Sequence, residues 1–166
     1  MATSSSVVQV RQNGTFSQLQ VPDDDGSTDL RVRLKRAVRS NMSLPRSVHK
    51  FRLIAEYLCE DDTDVITSIH VYGFTAGACR PNTHELPPSS AWEGADAKLL
   101  FGPILVARVC VETGRLATLT VDAYRSFLDG MFAEESIGST DSERSTDGSD
   151  NGSDLVGFIV SDSVCD

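Results

Sequence analysis

Long apolar runs are missing from this sequence. No stretch of its 166 residues approaches the roughly 20 consecutive apolar positions of a membrane-crossing helix, which excludes an integral membrane protein of the helical kind. The opening segment, MATSSSVVQV, has neither a basic stretch nor a following apolar core, so conventional secretion is not expected. A nuclear or cytoplasmic location is the expectation that follows.

Chemistry-bearing residues are also sparse. The four cysteines, Cys59, Cys79, Cys110 and Cys165, include no CxxC pair, and they read as reduced, core-type thiols rather than as a disulfide or zinc framework. His49, His70 and His84 are scattered, and Cys79 with His84 has no second pair to complete a four-ligand site. There is no GxGxxG, no Walker loop with its lysine, and no GxSxG elbow. Exposed turn acids such as Glu60, Asp61, Asp62 and Asp64 are a weak basis for a cation site. The expectation is therefore no catalytic residue, no metal and no cofactor; a small hydrolase is the least supported alternative.

What the sequence does have is segregated charge. The net charge is -9, but it is not spread evenly. Residues 31–52 hold eight basic side chains and no acid, with Arg31, Arg33, Lys35, Arg36 and Arg39 at their centre. From residue 129 onward stand ten acids against the single Arg144. The body is thus neutral and the imbalance belongs to the C-terminal part.

Residues 136–154 are Ser, Thr, Asp and Gly with little else, a composition that cannot bury enough apolar surface to offset ordering entropy and predicts disorder. Hydroxyls beside acids, as in Ser142-Glu143 and Ser149-Asp150, suit an acidophilic kinase. A hydrophobic island then follows: Leu155, Val156, Phe158, Ile159 and Val160, bracketed by Asp154 and Asp162. Three readings stay open. The island docks as an added strand on a partner's sheet edge, its acids facing a basic rim; it folds back as the last strand of the body; or it has no role of its own.

The body reads as a β-rich α+β domain, mostly antiparallel, over residues 1–135, followed by a disordered acidic tail, 136–166, with docking segment 155–160. Val7, Val8 and Val10, the Asn13-Gly14 turn signal, and Phe16, Leu19 and Val21 form a first hairpin. Leu30, Val32 and Leu34 alternate with Arg31, Arg33 and Lys35, which reads as a half-buried strand with one cationic face. Residues 48–58 fit strand or helix, strand being favoured by the alternation of Phe51, Leu53, Ala55 and Tyr57. Val65–Phe74 reads as strand, and Gly73–Pro88 as a long connection. Leu99–Glu112, interrupted by Gly102-Pro103, pairs across Thr113-Gly114 so that Leu116, Leu119 and Val121 answer Val111, Val109 and Ala107. One late helix spans about Asp122–Glu135, with Tyr124, Phe127, Leu128, Met131 and Phe132 on one stripe.

These features favour a non-enzymatic protein-binding adaptor, by analogy a histone chaperone with an acidic arm, engaging a basic or nuclear partner and able to self-associate. The alternative is a viral matrix-like or capsid-associated protein. Its 31–52 patch would contact nucleoprotein, other nucleic acid or an anionic membrane surface.

Overall fold

The computed structural model describes residues 4–23, 29–59, 65–78, 80–87 and 99–137. In chain order the elements are β1 (Ser4–Val10), β2 (Phe16–Pro22), α1 (Leu30–Asn41), β3 (His49–Cys59), β4 (Thr67–Ala76), β5 (Pro81–Asn82), β6 (Leu100–Cys110), β7 (Leu116–Ala117) and α2 (Val121–Ile137). The strands make one antiparallel sheet in the order β2-β1-β6-β4-β3, with β5 and β7 also pairing with β6. The β-rich, antiparallel α+β class expected from the sequence is what the chain adopts, including the late helix. The docking segment and its flanks, residues 154–162, lie outside the described residues.

Two hydrophobic clusters fill the two faces of the sheet. On one face, α1 brings Leu34 and Val38 onto Val7, Leu19, Val21, Phe51, Tyr72, Phe74 and Leu105. On the other, α2 brings Tyr124 and Leu128 onto Val8, Val10, Ala55, Tyr57, Ile69, Val71, Ile104 and Val106. Neighbouring strand residues such as Val7 and Val8 thus serve opposite cores, as the period-two pleat requires. Both are fully buried, which is why β1 reads as a continuous valine-rich run rather than an alternation.

The reading of 30–35 as a strand is overturned. These residues open α1, where Leu34 and Val38 are fully buried while Val32 is 40% exposed. An alternating six-residue window does fit a strand, but Leu30, Leu34, Ala37 and Val38 follow the longer i, i+4, i+7, i+8 helical spacing. Asp29 starts the helix: its carboxylate accepts from Arg31 N–H at 2.7 Å. Arg39 lies in the last turn, where a cation complements the carbonyl end of the dipole.

Three boundaries also move. β4 runs to Ala76, so Gly73–Ala76 belongs to a strand and the connection begins later. The hairpin after β6 exists, but Leu116 faces Val109 and Ala117 faces Arg108, a register two residues away from the expected one. Leu119 instead donates its N–H to Ser6 carbonyl, and Val121 opens α2. There the Thr120 hydroxyl accepts from Ala123 N–H, serving as the N-terminal cap.

Two bulges adjust the sheet. In β3 the pairing shifts between Leu53 and Ala55; as a result Phe51 faces the α1 core while Ala55 and Tyr57 face the α2 core. In β6 the Gly102-Pro103 pair does not break the strand. It makes an irregularity opposite Gly73, with Gly102 at φ 72°, a backbone region where a side chain is strained.

Candidate peptide-binding groove and cationic face

Sheet order leaves β2 at one edge, hydrogen-bonded to β1 on its inner side. Arg11 N–H donates to Thr15 carbonyl at 2.9 Å, so Arg11 and Thr15 form a hydrogen-bonded rung. Antiparallel pairing alternates such rungs. Residues 17, 19 and 21 therefore direct their main-chain groups inward, and Gln18 and Gln20 direct theirs out from the edge. Pro22 ends the strand without an N–H, and its carbonyl accepts from Arg33 Nη2 at 2.5 Å. Among the described residues no strand pairs with this outer edge, which is short, with a proline and an arginine at its close.

Beside this edge, between β2 and α1, runs a groove of about 480 Å³. Its walls include Leu19, Val21, Ala37, Arg33 and Arg36. Leu19 and Val21 are buried and Arg36 is exposed. Asp23, Ser40 and Asn41 also line it, so the rim is mixed, with arginine on the α1 side.

Helix α1 places the other cations elsewhere, which corrects the expectation that Arg31, Arg33 and Lys35 project from one strand face. Arg33 and Arg36 border the groove. Arg39 turns inward, donating from Nη2 to Val48 carbonyl at 2.6 Å with its guanidinium 5.6 Å from the Phe74 ring centre; it is a structural cation. Arg31 and Lys35 meet Lys50 and Arg52 of β3 around a second concavity of about 310 Å³, with Val32 and Phe51 among its walls. Among the described residues, none of these four cations has an acidic side chain within ion-pair distance. Lys50 also holds a φ of 60°, a left-handed conformation that costs a non-glycine residue about 1–2 kcal/mol.

Polar clusters elsewhere are read as structural. His70 Nε2 meets both Ser68 Oγ at 2.8 Å and Glu56 Oε1 at 3.2 Å. A nucleophile–base–acid relay needs the hydroxyl and the carboxylate on opposite ring nitrogens. Here they share one, and Nδ1 faces the Tyr72 hydroxyl at 3.4 Å. Burial raises Tyr72 to about 12, with the Asp29 charge adding to the effect. His84 reaches Tyr124 hydroxyl at 3.2 Å and stacks edge-on to Phe16. Burial lowers its pKa, which favours the neutral imidazole. Asn82 donates to the carbonyls of Val10 and Gly102 at 3.2 and 2.9 Å. It thereby ties β5, which pairs with β6, to the end of β1 as well.

Cys59 and Cys110 are both partly exposed; Cys59 packs at the margin of the α2-side core with its thiol toward the Tyr57 carbonyl. They flank Thr67 from opposite sides, about 9.5 Å apart by strand spacing and too far for a disulfide. Cys79 and Cys165 lie outside the described residues. Among the described residues no group of three His, Cys, Asp or Glu side chains is placed to hold a metal ion, and no helix is long and apolar enough to cross a membrane.

The composition of the tail gives a docking signal, whereas the apolar pattern of β2 does not mark it as a sheet edge. Edge position depends on strand order, which local periodicity does not encode; Pro22 was the one available hint. No family model matches the chain, and no curated protein or solved structure matches it either.

Proposed function

We propose that the protein is a non-catalytic adaptor that captures an extended, acid-flanked segment of another protein in the groove between β2 and α1. One observation carries this reading: a strand edge that pairs with no other strand among the described residues lies beside an arginine-bordered groove with apolar walls. Strand-adding peptide modules join the same two elements, ladder bonds supplying affinity and side-chain pockets supplying selectivity. Display of a random peptide library on the immobilised full chain tests it. Recovered peptides should share alternating apolar residues flanked by acids, and their binding should fall at least tenfold in Arg33→Glu/Arg36→Glu, which repels such acids. Peptides without that pattern, or binding indifferent to the charge reversal, would refute it.

The acidic C-terminal segment is the module's second contact in this proposal. Leu155, Val156, Phe158, Ile159 and Val160, with Asp154 and Asp162, engage a basic histone-like or other nuclear protein. That arm is tested by titrating the full chain with core histones, where Phe158→Asp/Ile159→Asp should lose most of the affinity.

A second reading rests on the cluster of Arg31, Lys35, Lys50 and Arg52, which meets no acidic partner among the described residues: an anionic surface, nucleoprotein or membrane, binds across α1 and β3, as in a matrix-like or capsid-associated protein. It requires binding that weakens steeply with salt through these four residues.

A further inference from the structure

We infer that the β2–α1 groove is occupied in the resting protein by the chain's own segment Asp154–Asp162, added in cis as a strand against the outer edge of β2. The inference rests on the peptide-capture reading above and names the occupant. Three observations support it.

The first is charge complementarity. Residues 138–166 carry seven acids and one arginine, and residues 31–52 carry eight cations and no acid. Arg33 and Arg36 stand at the groove, within one helix of Arg31 and Lys35. Asp154 and Asp162 bracket the apolar residues of the segment, so arginines beside the groove can meet acids flanking the residues that enter it. Asp23 also lines the groove and opposes this attraction from the β2 side.

The second is chemical type. Leu155, Val156, Phe158, Ile159 and Val160 are residues that suit a pleated, half-buried environment. The outward main-chain groups of Gln18 and Gln20 are the complement to such a strand. Pro22, which has no N–H, limits the ladder to a short length. A segment of nine residues with one glycine, Gly157, matches a short edge better than a long one.

The third is reach. α2 ends at Ile137, and residues 138–153 separate it from the segment. Fully extended, they span up to about 55 Å. The five main strands span only about 19 Å from edge to edge at the usual spacing, so the linker can pass round the β2 edge from the α2 face to the α1 face. A linker of this length also places the segment near the groove at millimolar effective concentration. Weak intrinsic binding therefore still fills the site. A basic partner that grips the acidic segment would withdraw it, so exposure of the groove and engagement of the partner become one event.

Amide hydrogen exchange and two-dimensional amide NMR on the full chain test this, comparing wild type with Phe158→Asp/Ile159→Asp. Both substitutions lie outside the described body. Expected are Gln18 and Gln20 amides that exchange more slowly in wild type by on the order of tenfold or more, with shifts at Arg33 and Arg36 that do not change on dilution. Adding a free peptide of residues 152–166 to the variant should restore the wild-type signals. If dilution abolishes the wild-type protection, the tail of a second copy fills the groove and cis occupancy is overturned. If wild type and variant coincide while the free peptide still binds the groove, cis occupancy is again overturned and the capture reading stands. If the free tail peptide does not bind but display-selected peptides do, the assignment of this segment fails alone. If no peptide of either kind perturbs these amides, both readings fall.

Discussion

Substituting Val32 and Leu34 separately distinguishes a helix from a strand at residues 30–36. In a half-buried strand the two side chains share one face, and either substitution by glutamate would bury a charge. In α1 they do not share a face. Leu34 is fully buried against the sheet, whereas Val32 is 40% exposed. Val32→Glu loses the partial burial of a valine, about 1 kcal/mol. It regains a few tenths by standing four residues before Arg36 in the favourable order. The net expectation is a stability within about 1 kcal/mol of wild type. Leu34→Ala should cost about 2–5 kcal/mol, the usual range for emptying a leucine site in a packed core. With a urea slope of about 1.5 kcal/mol/M, that is a midpoint lowered by more than 1 M, against less than 0.7 M for Val32→Glu. Urea titration of the full chain, followed by far-UV circular dichroism, reads both. If Leu34→Ala fails to express, Leu34→Met should still fold and cost under about 1.5 kcal/mol. Equal and large losses for Val32→Glu and Leu34→Ala would refute the helical placement and the groove built on it.

Other measurements probe separate features. His84 has a lowered pKa in the folded state because it is buried; unfolding restores a value near 6.5. The unfolded chain therefore binds the proton more readily. The stability held by neutral His84 is complete above pH 6.5 and is lost as pH falls from there through the folded-state value, a loss that should be absent in denaturation curves of His84→Asn. Asn82→Ala leaves the carbonyls of Val10 and Gly102 without their donor and should cost about 1–3 kcal/mol by the same titration. Lys50→Gly relieves the left-handed backbone at φ 60° and should raise stability by up to about 1 kcal/mol, unless the added freedom of glycine in the unfolded chain cancels it. The Cys110 thiol is pushed down chiefly by the Thr113 side-chain hydrogen bond, with main-chain bonds adding to it. Thr113→Val should therefore slow its alkylation near neutral pH, read by peptide mass mapping with Cys59 as internal reference.

The fold was legible wherever a local pattern and its tertiary role coincide. Asn13-Gly14 fixes the first hairpin, with Gly14 at φ 78°, because a tight turn needs that conformation whatever surrounds it. The stripe from Tyr124 to Phe132 marks α2 because five apolar residues at helical spacing have one arrangement that buries them together. Residues 30–35 mislead because six positions are too few to separate the two periods; the decisive residues, Ala37 and Val38, stand just beyond that window. The hairpin after β6 slips by two residues because Leu119 is claimed by Ser6 of β1, a long-range bond that no local pairing rule contains. For the same reason the basic patch was legible as a cluster but not as geometry. Its side chains divide between a groove, a second concavity and, for Arg39, an internal clamp.

The irregularity in β3 has a consequence for how this domain tolerates changes in length. Because Phe51 serves one core and Tyr57 the other, the strand is read in two different phases, and the shift between Leu53 and Ala55 is the point where the phase changes. Ile54 is the extra residue at that point, so deleting it would remove the bulge and leave a regular pleat in which Phe51 still faces α1 and Ala55 and Tyr57 still face α2. The middle of β3, like its loop-feeding ends, should therefore accept the loss of one residue, at the cost of the partial burial of Ile54.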